Sequence, residues 1–119
     1  MSEPIGRLTK FGIDVGDLDR AAAFWSQVLG LEPGERRGPY QSLGSLTPTT
    51  IFFLQLVPEE KRVKNRMHFD ISVNDLDKAV RRVVALGGTM LREVGDTDNH
   101  LCVMADPDGN EFCLLPSGW

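Results

Sequence analysis

The stretches KFGIDVGDLDRA, residues Lys10–Ala21, and HFDISVNDLDKA, residues His68–Ala79, are two copies of one sequence. Seven of the twelve positions are identical, and the copies lie 58 positions apart. A repeat with one constant offset indicates that a structural unit has been duplicated. The same offset carries Gln55 onto Cys113, so the duplication extends toward the end of each half.

Each copy is predicted to begin with a strand and to continue into a helix. Apolar and polar residues alternate over Lys10–Val15 and His68–Val73, which is typical of a strand with one buried face. Asp17 and Asp75 follow at positions where a carboxylate caps the first turn of a helix. Glycines after the apolar helical stretches are expected to end both helices.

Three shorter strands are expected after each helix, which gives two βαβββ modules and an α+β fold. The clearest later strands are Ile51–Val57 in the first half, and His100–Ala105 and Glu111–Leu115 in the second. The last two flank Asp106–Asn110, whose Asp, Pro and Gly favour a hairpin turn. Glu32–Leu46 is rich in Gly and Arg, and we interpret it as a mobile loop near the mouth of a pocket.

The length of 119 residues fits a single domain over residues 1–119. Module one is expected at about 8–57 and module two at about 67–115. The charged stretch 58–66 joins them, either as a solvated linker or as a lip that helps to cover the pocket.

The composition of the chain limits the classes of function that it can have. The formal charge of −4 argues against non-specific nucleic-acid binding, which needs clustered Lys and Arg. No apolar run approaches the roughly 20 residues that span a bilayer, and no secretory signal is visible. Two cysteines are too few for a disulfide scaffold, so we expect a reduced, cytoplasmic protein.

The period of the strands also predicts a binding site. If the apolar residues of each first strand cover the helices, the polar residues face the other way, and two curved mixed sheets form a cup-shaped pocket. A concave site with few polar groups on an apolar wall is typical of small-molecule binding. The predicted ligand-binding residues are Lys10, Asp14, Phe53, Gln55, His68, Asp70, Glu111 and Cys113.

Two longer motifs carry a family resemblance. FGIDVGDLDRAAAFWSQVLGLEP resembles the opening of the first module of vicinal oxygen chelate proteins, and ADPDGNEFCLL resembles their closing hairpin. The chain is similar to the glyoxalase and bleomycin-resistance proteins over nearly its whole length. The resemblance implies the cup-shaped fold and a homodimer, but it does not imply one reaction, because the superfamily supports many chemistries.

The resemblance also locates the metal-ligand positions of the superfamily, at Lys10, Gln55, His68 and Cys113. Only Gln55 and His68 are ligand types usual in that family. An ammonium has no free lone pair at neutral pH, and a thiolate suits zinc better than the harder ions. We therefore expect no metal and no other cofactor, and Gln55 and His68 stay weak metal candidates.

Several residues keep alternative interpretations. His68 and Asp70 are candidates for acid–base catalysis, and either one is also expected to serve as a structural hydrogen-bonding group. Lys10 is expected either to pair with Asp70 or Glu111 or to bind an anionic ligand.

The two cysteines are placed symmetrically about the Asp106–Gly109 turn. That symmetry predicts that Cys102 and Cys113 are cross-strand neighbours. They are then two reduced thiols, a redox pair, or part of a zinc site with His68.

These residues and motifs are compatible with three alternative functions. The first is a metal-independent protein that binds a small, partly aromatic or anionic molecule in the cup, with or without modest acid–base chemistry. The second is a metal-dependent lyase, isomerase or dioxygenase that uses His68 and Gln55. The third is a non-enzymatic interaction module with a filled cup.

Overall fold

The computed structural model of the protein describes residues 8–65, 67–96 and 100–116. The chain divides into two compact units, Met1–Pro58 and Glu59–Trp119. Each unit contains one helix and one four-stranded mixed sheet. The predicted α+β class and its two βαβββ modules are therefore confirmed.

The first unit has its sheet in the order β1-β4-β3-β2, with β1 parallel to β4 and the other neighbours antiparallel. The helix lies between β1 and β2 in the chain. The elements are β1 Lys10–Val15, α1 Leu18–Leu29, β2 Arg36–Arg37, β3 Tyr40–Thr47 and β4 Thr50–Leu56.

The second unit repeats this topology, with the order β5-β8-β7-β6 and β5 parallel to β8. Its elements are β5 Asp70–Val73, α2 Leu76–Ala85, β6 Thr89–Gly95, β7 His100–Ala105 and β8 Glu111–Pro116. Within the described ranges, neither helix of the chain is long and apolar enough to cross a membrane.

Both helices begin at the predicted caps. The Asp17 carboxylate accepts the N–H of Arg20 at 2.9 Å, and the Asp75 carboxylate accepts the N–H of Lys78 at 3.1 Å. These bonds satisfy N–H groups that have no partner within the first helical turn. Gly30 ends α1 with φ of 67°, a left-handed conformation that glycine adopts without strain.

One face of each sheet is buried against its helix. In the first unit, Trp25 of α1 packs against Phe52 of β4, with ring centroids 5.9 Å apart. In the second unit, Met104 and Phe112 are almost fully buried and pair across β7 and β8. Alternation along the strands therefore leaves the polar residues on the opposite face, which we call the open face of each sheet.

The predicted mobile loop over Glu32–Leu46 is wrong. This stretch contains β2 and most of β3, and its Leu43 and Gln41 are buried. The Gln41 amide donates to the carbonyls of Gly34 and Ser42, both at 3.0 Å, and its oxygen accepts from Arg36 Nε at 2.7 Å. One buried amide thus satisfies the backbone of a glycine-rich segment and fixes it as a sheet edge.

The predicted pairing of the two cysteines is also wrong. Cys102 lies opposite Leu114, and Cys113 lies opposite Val103. The observed pairing of β7 with β8 is therefore shifted by one residue from the pairing that symmetry about the turn predicts. Because successive side chains alternate between faces, Cys102 is buried on the helix side and Cys113 lies on the open face. Both thiols are free, and this register excludes a disulfide between them.

Candidate functional site

The open face of the first unit has an aromatic platform. Gly12 lies opposite Phe53 in the parallel pair of β1 and β4, and the Phe53 ring occupies the space that a Cβ atom at Gly12 would need. The Tyr40 ring meets the Phe53 ring edge-on, with centroids 6.3 Å apart. Because 47% of Tyr40 remains exposed, the pair offers an apolar surface to a ligand.

Polar groups border this platform at one end. Asp14 lies opposite Gln55, and Gln55 also lies opposite Tyr40. Phe53, Gln55 and Asp14 therefore share one region of the open face, as the strand period predicted.

Lys10 lies at the other end of the same face. It is exposed at the start of β1 and pairs with Ile51. Gln55 is four residues further along β4, which corresponds to about 13 Å along the strand direction. Lys10 and Gln55, the two metal positions that the family resemblance assigns to this half, therefore do not converge on one point.

The open face of the second unit carries a row of four residues across its sheet. Strand pairing places Asp70 of β5 beside Cys113 of β8, Cys113 beside Val103 of β7, and Val103 beside Arg92 of β6. The row therefore has a carboxylate at one edge, a guanidinium at the other and less polar groups between them.

A small pocket lies on this face. Its volume is about 40 Å³, which is room for a few water molecules and too small for a whole metabolite. His68, Glu111 and Cys113 are predicted site residues that the pocket brings together; Asp70 adjoins Cys113. The full lining is Lys64, Asn65, Met67, His68, Phe69, Arg92, Val103, Glu111, Phe112 and Cys113.

The segment that precedes β5 forms one side of this pocket. Lys61 Nζ lies 3.1 Å from the Glu111 carboxylate. Asn65 donates from its side chain to the Glu111 carbonyl at 2.9 Å and from its backbone to the Glu111 carboxylate at 3.4 Å. Within stretch 58–66, Lys61 and Asn65 therefore contact Glu111 of the pocket lining, and Arg66 lies outside the described residues.

These contacts also set the charge state of Glu111. Burial by itself raises the pKa of this carboxyl group. The hydrogen bonds from Lys61 and Asn65, together with the charges of Lys61 and Lys64, outweigh burial and hold the pKa below its ordinary value. Glu111 is therefore an ionised and already paired carboxylate at neutral pH.

Replacing Lys61 with Met should raise the pKa of Glu111, because burial would then act with much less opposition. A group whose pKa is lowered by folding stabilises the fold at neutral pH, and this contribution is lost as the pH falls through the folded-state pKa. The Lys61→Met variant should therefore lose less stability than the natural protein on acidification. Carboxyl ¹³C NMR titration and denaturant unfolding as a function of pH measure the two effects.

Lys64→Met is the matched control for this experiment. Lys64 acts on Glu111 only through its charge, without the hydrogen bond that Lys61 makes. Lys64→Met should therefore change the pKa of Glu111 less than Lys61→Met does. Equal shifts in the two variants would contradict a specific contact between Lys61 and Glu111.

Cys113 is not a ready nucleophile. Burial raises its pKa, and the charge of Asp70 and a hydrogen bond from the thiol to Asp70 raise it further; the charge of Arg92 opposes them. The protonated thiol is therefore favoured at neutral pH, whereas nucleophilic attack needs a thiolate.

Two of the four family metal positions carry side chains that are unusual as ligands of a divalent ion in this family. Lys10 supplies an ammonium, Cys113 supplies a sulfur donor that suits zinc better than harder ions, and Gln55 lies far along its strand from Lys10. Among the described residues, no three His, Cys, Asp or Glu side chains form a group that could hold a metal ion. A tight site for Zn²⁺ needs about four ligands, and an octahedral ion needs about six. Water can supply some of them, but several must come from protein side chains.

Three of the residues on the open faces escaped sequence analysis. Tyr40 lies in the stretch interpreted as a loop, although the alternation of exposed Tyr40 with buried Gln41 and Leu43 fits a strand. Lys61 is one charge in a charged stretch, and nothing in the sequence distinguishes it from its neighbours. Arg92 reaches the open face only because of an irregularity in β6, which no sequence pattern reveals.

Comparison with known proteins agrees with this architecture. The family model for a glyoxalase-like domain matches residues 10–115. A lactoylglutathione lyase from Arabidopsis thaliana is 34% identical over 118 residues, which cover 87% of this chain and 42% of that protein. The chain thus spans less than half the length of the curated relatives it matches.

Solved structures show the same fold at low identity. The fosfomycin resistance protein FosX from Listeria monocytogenes, solved with Mn(II) and a dihydroxypropylphosphonic acid, is 19% identical with a TM-score of 0.75. The alignment covers 94% of this chain and 90% of FosX. A glyoxalase/bleomycin resistance/dioxygenase family enzyme from Burkholderia phytofirmans is 21% identical with a TM-score of 0.73, covering 93% and 98% of the two chains.

The paired βαβββ units, each with a helix on one face and an open face on the other, define a protein of the vicinal oxygen chelate type. Within that superfamily, the chain belongs to the glyoxalase-like domain family.

Proposed function

We propose that this protein binds a small organic molecule on the open face of a sheet, without a resident metal ion. The donor set is the main support for the proposal. The family's ligand positions hold an ammonium at Lys10 and a soft sulfur donor at Cys113, and the pocket beside Cys113 has room for a small polar group. The aromatic platform of Tyr40 and Phe53 supplies apolar contact area on the first unit.

His68 and Asp70 are the proposed acid–base groups, if the bound molecule is also converted. His68 is exposed at the pocket, and Asp70 accepts the hydrogen bond of Cys113. Proton transfer needs a group within hydrogen-bond reach of the reacting atom, so these two residues are the first to substitute once a ligand is known. The other six proposed ligand-binding residues are Lys10, Asp14, Phe53, Gln55, Glu111 and Cys113.

A thermal-shift screen against metabolites and antibiotics, with a chelator and with added divalent metals, tests the proposal. A ligand that binds the folded state raises the melting temperature, and a concentration of 100 times Kd stabilises by about 2.7 kcal/mol. We expect at least one ligand to give the same shift with and without the chelator. Elemental analysis of the purified protein is expected to find far less than one divalent metal per chain.

Phe53→Ala should weaken binding of that ligand, while Val63→Ala, at a site 77% exposed, should not. About one tightly held metal per chain, lost in the His68→Ala variant, would instead identify a metal-dependent lyase, isomerase or dioxygenase. Failure of every compound to bind would favour the interaction module.

A further inference from the structure

The pocket of the second unit carries more positive than negative charge that is available to a ligand. Glu111 is the acidic residue in its lining, and its carboxylate is already paired with Lys61 and Asn65. Lys64 and Arg92 are cationic residues of the same lining. An uncharged or cationic ligand would give Arg92 no counter-charge.

Arg92 owes its place on the open face to a β-bulge. Met90 lies opposite Met104, but the next paired residue of β6 is Arg92, opposite Val103, so that Leu91 is the extra residue. In a regular strand Arg92 would lie opposite Cys102, on the buried helix side. Bulges are over-represented at sheet edges and next to active sites, and this one, in the edge strand β6, turns Arg92 to the open face.

The remaining acidic group of this row does not neutralise Arg92. Asp70 lies at the opposite edge of the sheet, three strand spacings away, which corresponds to about 14 Å. Within the described ranges, no carboxylate makes an ion pair with Arg92. Cys113 and Val103 lie between them in the row.

From this geometry we infer that the pocket binds an oxyanion group of the ligand, a carboxylate or a phosphonate or phosphate, with Arg92 as the main contact. The planar guanidinium can donate two parallel hydrogen bonds to such a group. Lys64 adds a second charge, and Val103 and Phe112 are apolar residues of the same lining. The pocket volume of about 40 Å³ suits a headgroup of this size. The inference rests on the proposed function and names the class of its ligand.

Two-dimensional NMR of the full chain at constant ionic strength tests the inference directly. Inorganic phosphate, methylphosphonate and acetate are titrated separately, and the Arg92 Nε–H resonance is followed. At least one of the three is expected to shift this resonance saturably, and the one that binds tightest distinguishes a carboxylate from a phosphorus oxyanion. Arg92→Gln should weaken that binding about 10- to 100-fold, as expected for loss of charged hydrogen bonds.

Arg81→Gln, an exposed substitution on α2, is the matched control because it removes the same charge outside the pocket lining. It should leave binding unchanged, and the melting temperatures of both variants show that they are folded. Equal weakening by the two variants, or no saturable shift with any probe, would overturn the inference. If only uncharged compounds bind in the thermal-shift screen and Arg92→Gln does not affect them, the inference fails while the proposed function stands. If the probes bind at Arg92 but no larger compound does, the proposed function fails instead.

Discussion

Trp25→Ala should destabilise the first unit by about 3–5 kcal/mol, the range for removing a large aromatic side chain from a core. Trp25 is fully buried, and its ring contacts the rings of Phe24 and Phe52, with centroids 5.1 and 5.9 Å away. Removing it leaves a cavity between α1 and the sheet that neighbouring side chains can fill only in part. The change is measured as the free energy of unfolding in urea.

The effect should extend to the open face. Phe52, which loses its contact with Trp25, directly precedes Phe53, which forms the aromatic platform with Tyr40. Trp25→Phe keeps most of the aromatic contact and should cost less than Trp25→Ala. Val63→Ala, at an exposed site, should change stability by no more than about 0.5 kcal/mol. A loss below about 1 kcal/mol for Trp25→Ala would show that this interface is not the core of the first unit.

Local sequence signals predicted the elements that local physics determines. The alternation over Lys10–Val15 gave the bounds of β1, and the carboxylates at Asp17 and Asp75 gave the starts of both helices. Strand period and helix capping depend on residues a few positions apart, so they can be read from one sequence. The same period correctly placed Phe53 and Gln55 on one face with Gly12 and Asp14.

The failures depend on contacts that form only in the folded unit. The stretch around Gln41 looked like a loop because its glycines weaken the strand pattern, whereas the buried Gln41 amide that organises it makes its bonds only in the folded unit. The face of the sheet on which Cys102 and Cys113 each lie depends on how many residues form the turn between β7 and β8. A register error of one residue moves a side chain to the other face of the sheet.

The two copies also differ in a way that their similar sequences hide. In the first unit Asp14 lies opposite Gln55, whereas in the second unit Asp70, rather than the equivalent Ser72, lies opposite Cys113. The pairing of the two parallel strands in the second unit is thus shifted by two residues relative to the pairing in the first unit. Aligning the copies located the family's metal positions, but it did not reveal that Lys10 and Gln55 diverge while His68 and Cys113 share a pocket.

Asp106→Ala should destabilise the second unit by about 2–4 kcal/mol, because it removes one acceptor that serves several donors. Asp106 is 3% exposed. Its Oδ1 accepts the backbone N–H groups of Asp108 at 2.9 Å and Asn110 at 2.7 Å, and its Oδ2 accepts from the Asn110 side chain at 2.9 Å. Alanine would leave two backbone donors in a part-buried turn without this acceptor.

The same turn sets the pairing of β7 with β8, which places Cys113 beside Val103 in the row that ends at Arg92. Asp106→Ala should therefore speed amide hydrogen exchange in both strands and weaken oxyanion binding at Arg92, even though Asp106 does not line the pocket. Asp77→Ala removes an equal charge from the exposed first turn of α2 and should cost less than about 1 kcal/mol. If Asp106→Ala costs no more than Asp77→Ala, the register of β8 is held by the strands themselves, through Met104 and Phe112, and the turn only follows it.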